Sequence, residues 1–385
     1  MSNVYDHWER LVGAVIRREE LWRMFHDQSP SVSSIPSDCS LDSEVLDVPF
    51  DFSSPRSSSS YQQLPPSAVE NLQKKEKSAE EEEVSGLVFV QGFSPVFDLD
   101  DLLRSTAQFL GEGTFGSAYN AAMDNGITVV LKRLNAVNIS EKKFRRQMEV
   151  IGNVRHENVC ALKAYYFSKD EKLLVYDHYS NGSVSALLHG NIGKKQISLD
   201  WKSRLRIAVG AARGIAYIHT QVGQNLVHGN IKASNIFLNA YGYGCVSEVG
   251  LATLVSSAWT RHSQSSGYYA PEVTESKKLS QASDIYSFGV LLLELLTGKP
   301  SMLSEGNDKA IQLVSWVASI APADWTAEVF DIELLMYQNI EKEMVKVLQI
   351  ALICVESVPE HRPKMSEVSR RLDDIIAPHE GRGVV

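Results

Sequence analysis

Cysteine is scarce: the 385 residues contain four, Cys39, Cys160, Cys245 and Cys354. No two form a C-x-x-C pair that would suggest zinc, and they are too few and too scattered to staple a chain this long. That usage fits a reducing compartment. Long apolar runs are missing too. Nowhere do about 18 apolar residues follow one another, so no segment is expected to span a bilayer. The opening Met1-Ser2-Asn3-Val4-Tyr5-Asp6 lacks the basic head and apolar stretch of a secretory signal. Ser2 excludes N-myristoylation, and the last residues carry no prenylation box. These absences predict a soluble, cytoplasmic chain. A basic field is absent as well. Residues 1–96 hold 8 Lys+Arg against 16 Asp+Glu, a net of −8, and the remainder hold 30 against 31, a net of −1. Nucleic-acid partners are set aside on that ground.

What is present is ordinary for a globular chain, with 44% hydrophobic and 22% charged residues. The length exceeds one typical domain and predicts a large domain with an appendage, or two domains. The acidic first quarter has three textures. Residues 1–27 hold an amphipathic pattern in which Trp8, Leu11, Val12, Val15, Trp22 and Phe25 recur at helical steps, interrupted near Arg18 and Glu19. Such a helix packs on its own domain, docks on a partner or lies on a membrane surface; all three readings stay open. Residues 28–68 carry 14 Ser and 6 Pro in 41 positions, too little apolar surface to offset chain entropy. The segment 28–96, which includes the charge run Glu80-Glu81-Glu82-Glu83, is therefore expected to be a disordered linker.

From about residue 97 short β-like runs come first, among them Thr128–Leu131 and Leu173–Tyr176. Long helical stretches follow, such as 201–220 and 283–297. A small strand-rich half before a larger helical half is an α+β, two-lobed pattern over 97–378, with 379–385 as a tail. Within it, Gly111-Glu112-Gly113-Thr114-Phe115-Gly116 is a G-x-G-x-x-G, weak by itself. A dinucleotide fingerprint opens a helix, whereas Ser117-Ala118-Tyr119-Asn120 continues as a strand and a second strand carries Lys132. Glycines joining two strands over a lysine describe a flap on phosphates.

Further along stand His228-Gly229-Asn230-Ile231-Lys232-Ala233-Ser234-Asn235, then Ser247-Glu248-Val249-Gly250, then Ala270-Pro271-Glu272. With Asp284 in Ser283-Asp284-Ile285-Tyr286-Ser287-Phe288-Gly289 and Arg362 in His361-Arg362-Pro363, the chain resembles the protein kinases, motif by motif and in order. Leu174-Val175-Tyr176 and Asn181-Gly182-Ser183 look most like plant receptor-like kinases of the leucine-rich-repeat type, here in a cytoplasmic form. The resemblance implies a two-lobed kinase fold, ATP and Mg²⁺ as ligands, and signalling proteins, including active kinases, as partners. It implies a nucleotide site of Gly111, Gly113, Gly116, Ala118, Val130, Lys132, Tyr176, Asp177, Tyr179 and Phe237. It places Asn230 and Lys232 at the catalytic positions and Asn235 and Glu248 at the metal positions. Asp284 would brace the catalytic loop, and Arg362 would pair with Glu272.

The same resemblance exposes departures. Asn230 stands where the family has the Asp that orients and deprotonates the acceptor hydroxyl. An amide is no base near neutral pH, and general-base assistance is worth ~10²–10⁴ in rate. Gly229 removes an arginine that reads activation-segment phosphate. Glu248 replaces an Asp, moving the carboxylate by roughly one methylene when Mg²⁺ demands near-ideal octahedral geometry; such misplacement costs ~10²-fold. Gln147 stands where a Glu pairs with the lysine; an amide there is expected to hydrogen-bond Lys132 without forming the ion pair, and Glu149 lies roughly 200° round the helix from it. Phe237 replaces a Leu below the base and adds bulk there. Three independent changes predict a pseudokinase acting as an interaction module. The alternative is a weakly active Ser/Thr kinase, since Lys132, Lys232 and Asn235 remain, with acceptors among Ser256, Ser257, Thr260, Ser263, Ser265 and Ser266.

Overall fold

The computed structural model describes residues 86–135, 139–190, 199–221, 226–254, 267–276, 278–305, 309–320 and 328–380. The expected helix within 1–27, the linker up to residue 85 and the candidate acceptors from Ser256 to Ser266 lie outside them.

Six strands make one antiparallel sheet: β1 (Val88–Phe89), β2 (Thr106–Gly113), β3 (Gly116–Ala122), β4 (Thr128–Leu134), β5 (Leu162–Phe167) and β6 (Lys172–Asp177), in the spatial order β1-β5-β6-β4-β3-β2. Side chains alternate across a strand, and the alternation sorts the core. Val129 and Leu131 of β4, with Leu173 and Val175 of β6, enter one buried cluster; Leu174 and Tyr176 enter another on the opposite face. Val130 and Lys132 share that second face, which looks toward the helical half. Helix α1 (Leu99–Arg104) covers the first face through Leu102. Helix α2 (Glu141–Gly152) covers the second through Phe144, Met148 and Ile151, spaced four and three apart on one helical stripe.

Residues 86–96 correct the expected linker. Val88 and Phe89 pair with Tyr165 and Ala164 as an edge strand, and Phe89 meets Phe97 with ring centroids 5.2 Å apart. The preceding glutamate run hides this short apolar stretch in the sequence.

The helical half consists of α3 (Val184–His189), α4 (Trp201–His219), α5 (Pro271–Ser276), α6 (Gln281–Thr297), α7 (Leu313–Ser319), α8 (Ile332–Leu335), α9 (Glu341–Cys354) and α10 (Met365–Glu380). Two small hairpins join them, β7 (Ile236–Leu238) with β8 (Gly244–Val246), and β9 (Met302–Glu305) with β10 (Lys309–Gln312). Helix α6 is mostly apolar and buried along nearly its whole length, as befits a helix at the centre of a domain. Helix α10 packs on α4, and α9 on α6. Small residues on α4 admit β8 at close range: a Cβ on Gly210 would lie 2.4 Å from the backbone of Gly244. That approach sets where β8 ends, and so where Ser247 and Glu248 begin.

Two buried polar anchors hold this half together. Arg362 donates to both carboxylate oxygens of Glu272, at 2.7 and 2.9 Å, and to the carbonyls of Ala282 and Glu356. Glu294, inside α6, accepts from the Tyr268 hydroxyl and from the Ser301 amide at 2.6 Å. Removing Arg362 leaves a carboxylate with no partner, and breaking such buried pairs costs about 3–5 kcal/mol. Glu272 retains some access to water, so Arg362→Met should lose about 3 kcal/mol, read from the midpoint of urea unfolding. Glu294 provides a pH test. Burial pushes its carboxyl up to about 7 against an ordinary 4.5, despite its hydrogen bonds. The folded protein therefore holds a proton there that the unfolded chain releases. This contribution is fully present below about pH 4.5 and is lost as pH rises through about 7. The stability difference between the native chain and Glu294→Gln should shrink over that window, measured by chemical denaturation at several pH values.

Candidate functional site

The cleft forms where the second face of the sheet meets β7, β8 and the loop before them. Above it, the adjoining ends of β2 and β3 carry the glycines. Gly116 has φ +141°, and a Cβ there would lie 1.9 Å from the Arg133 carbonyl, so only glycine lets the flap approach β4 this closely. Gly111 and Gly113 line the cleft on the same side. Thr114, at the tip, accepts a 3.0 Å hydrogen bond from the Lys232 ammonium, closing the flap onto the catalytic-loop lysine.

The loop itself is held from below. Asp284 accepts the amides of His228 and Gly229, both at 2.8 Å, and a 2.9 Å bond links it to His219. His228 is fully buried, with its Nε2 2.6 Å from the Ser247 carbonyl and its Nδ1 accepting the Asn230 amide at 3.1 Å. Burial lowers its pKa, so it is a neutral structural imidazole. Gly229 has φ +74°, and a Cβ would meet Leu279 and Ala252 at 2.6 and 2.7 Å. The space an arginine stem would need is already filled.

At the centre lies Glu248, buried and in a left-handed conformation with φ +63°, rare for a side-chain-bearing residue. One carboxylate oxygen pairs with the Lys132 ammonium. The other accepts from the side-chain nitrogens of Asn230 at 2.9 Å and Asn235 at 3.0 Å. The Asn235 nitrogen also donates to the Asn230 carbonyl at 2.8 Å. Burial alone would push the Glu248 carboxyl up; Lys132, Lys232 and Asn230 outweigh it and hold the group below the usual range. Lys232 moves down, because burial and Lys132 oppose its charge more than Glu248 favours it.

One expectation fails. Gln147 does not reach for Lys132; it donates to the Gly250 carbonyl at 3.3 Å. Lys132, deprived of a helix carboxylate, takes Glu248 instead. Glu149 is exposed on the far side of α2.

The remaining predicted residues come together around a cleft of about 520 Å³, within the roughly 300–1,000 Å³ of small-molecule sites. Ala118 faces Lys132 across the β3–β4 pairing, and Val130 faces Tyr176 across β4–β6. Asp177 and Tyr179 lie on the segment between the lobes. Phe237 lines the floor with its ring centroid 5.6 Å from that of Tyr179; it narrows the cleft without closing it. The Tyr176 hydroxyl is buried without a hydrogen-bond partner among the described residues. Sequence reasoning did not find Thr114 as a partner for Lys232, nor a pair of thiols, Cys160 and Cys245, beneath Tyr179. Residues 85 apart in sequence carry no local signal of contact.

The cleft fits a nucleotide-sized ligand better than it fits Mg²⁺. Glu248, the carboxylate at the metal position, is already ion-paired with Lys132, and the Asn235 amide turns its nitrogen toward that carboxylate. Among the described residues no cluster of three or more His, Cys, Asp or Glu could hold a metal.

The family described as "Protein tyrosine and serine/threonine kinase" matches residues 105–372. The chain belongs to the protein kinase family. A probable inactive receptor kinase of Arabidopsis thaliana is 54% identical over 289 residues, 75% of this chain and 45% of that protein. An inactive leucine-rich repeat receptor-like serine/threonine-protein kinase of the same plant is 44% identical, over 78% of this chain and 50% of that protein. The chain thus spans about half the length of these relatives. Among solved structures, the pseudokinase domain of BIR2, an immune regulator of the RLK/Pelle family, is similar with TM-score 0.65 at 29% identity, covering 81% of this chain and 94% of that one. The kinase domain of maize SIRK1 bound to AMP-PNP gives TM-score 0.67 at 29% identity, covering 75% and 99%. The kinase fold and the receptor-like-kinase relationship expected from the motifs both stand. No helix among the described residues is long and apolar enough to cross a membrane.

The network around Glu248 generates a prediction. Asn230→Asp places a second carboxylate within hydrogen-bonding distance of Glu248, where two charges repel. Without divalent ions the variant should lose about 1–3 kcal/mol. Mg²⁺ should raise its melting temperature more than that of the native chain, which a thermal-shift comparison with and without EDTA reads directly.

Proposed function

We propose that this kinase-family chain is a pseudokinase: an interaction module in cytoplasmic signalling whose cleft binds an adenine nucleotide without transferring its phosphate. One observation carries this reading. The groups that would act on an acceptor hydroxyl and on the phosphates are spent on each other, Lys132 on Glu248 and Asn230 on the same carboxylate. The Asn230 side chain sits where a base is required, and it donates a hydrogen bond there rather than accepting a proton.

In this reading the base stacks between Ala118 and Val130 above and Phe237 below, beside Tyr176, Asp177 and Tyr179. Gly111, Gly113 and Gly116 bring backbone amides to the phosphates. Lys132 and Lys232 supply positive charge, and Asn235 and Glu248 occupy the metal positions. When bound, Mg²⁺ in kinases neutralises charge on the phosphates; the donor set here does not fit it, and no step is assigned to it. The names of the relatives, inactive receptor kinases and a pseudokinase domain, support the same conclusion. Active kinases are the partners proposed for the fold that Asp284, Glu272 and Arg362 hold together. The stretch before residue 86, with its acidic run and serines, is proposed as a linker and as a substrate of those kinases.

A weakly active Ser/Thr kinase is the second reading, favoured by Lys232 and Asn235 holding their places beside Asn230. The purified chain, given ATP with Mg²⁺ or Mn²⁺, separates the two. We expect ATP to raise the melting temperature, since a ligand that binds only the folded form stabilises it, with no phosphate incorporated over hours. Turnover approaching the ~1–100 s⁻¹ of active kinases would overturn the proposal. Slow autophosphorylation abolished by Lys132→Ala would establish the second reading.

A further inference from the structure

Two cysteines that the nucleotide reading leaves unused meet behind the cleft. Cys160 lies between Val159, which bridges to Val246, and β5; its amide donates to the Val246 carbonyl at 2.8 Å. Cys245 lies on β8, opposite Phe237. The backbone pairing brings the two sulfurs within 3.4 Å, with the Cys160 thiol donating to Cys245. The Tyr179 hydroxyl is 3.3 Å from the Cys245 sulfur. Both cysteines are buried, yet Cys160 and Tyr179 are part of the cleft wall, so a small polar oxidant entering the cleft comes against Cys160, whose sulfur touches that of Cys245. A disulfide has its sulfurs about 2.05 Å apart, so a shift of little more than an ångström closes the bond. Nothing comparable surrounds the third described cysteine, Cys354, which is buried between helices and far from the cleft wall.

We propose that Cys160 and Cys245 form a redox-modifiable dithiol, converted to an intramolecular disulfide by hydrogen peroxide or a similarly small hydroperoxide. The first sulfur to react attacks a peroxide oxygen, breaking the O–O bond and becoming a sulfenic acid as water leaves. The second sulfur then attacks the first, forming the S–S bond and expelling the hydroxyl as a second water. Two thiols lose two protons and two electrons, and the peroxide is reduced to two waters. Attack needs a thiolate, and the pair favours one. The hydrogen bond from Cys160 holds the Cys245 thiol below its usual range, while burial pushes the Cys160 thiol up. One sulfur is thus poised as nucleophile and its neighbour as the resolving thiol. The bond would tie β8 to the root of β5 and remove the sulfur partner of the Tyr179 hydroxyl.

The test uses the full native chain treated with a modest excess of hydrogen peroxide, then digested and mapped without reduction. The expected product is a peptide pair linked through Cys160 and Cys245, lighter by two hydrogens than the free thiols and separated by dithiothreitol. Cys160→Ser should abolish the link and leave Cys245 as a sulfenic acid trapped by dimedone. Because the native chain is mapped directly, a variant that fails to fold does not decide the result. Recovery of both thiols unmodified, while glutathione in the same tube is oxidised, would overturn the proposal. So would oxidation of each cysteine to sulfinic acid without a cross-link. The mapping is independent of whether ATP binds.

Discussion

A carboxylate buried at the junction of two lobes cannot stay charged alone. Transfer of an isolated ion into a low-dielectric interior costs far more than a fold can offset, so it must be paired and hydrogen-bonded. Glu248 meets that demand with Lys132 on one oxygen and two asparagine amides on the other. The arrangement joins β4 of the strand-rich half to the loops of the helical half. It also explains how the chain tolerates asparagine at 230: an amide donates to Glu248, where an aspartate would repel it. The loss of the base and the lengthened metal ligand are therefore mutually consistent rather than separate accidents.

The scaffold beneath is maintained on different terms. Asp284 fixes the backbone of His228 and Gly229, and Arg362 clamps Glu272; neither depends on the groups that face the cleft. A fold can lose phosphate chemistry while these anchors keep its shape, because they satisfy buried backbone and charge rather than substrate. Gly229 extends the point. Leu279 and Ala252 have closed over the space in which an arginine would begin, so the altered loop is packed into its neighbours.

The third layer is the floor of the cleft. Phe237, Tyr179 and the Cys160–Cys245 pair form one contiguous set, ring against ring and hydroxyl against sulfur. Polarizable sulfur under an aromatic floor packs well, and here it lies beside the segment that joins the lobes.

The order of motifs determined the family, the two lobes and more than half of the residues that line the cleft, because glycine turns and alternating strands are local and leave marks in sequence. The resemblance to the family marked Asn230, Glu248 and Gln147 as departures. Where those side chains went was decided only in three dimensions. Gln147 bonds Gly250, and Lys132 turns to Glu248, because hydrogen-bond partners are set by distance across the lobes rather than by position along the chain. The edge strand at Val88–Phe89 and the meeting of Cys160 with Cys245 have the same origin. Each is made by pairing between strands or loops far apart in sequence, which no window of neighbouring residues records.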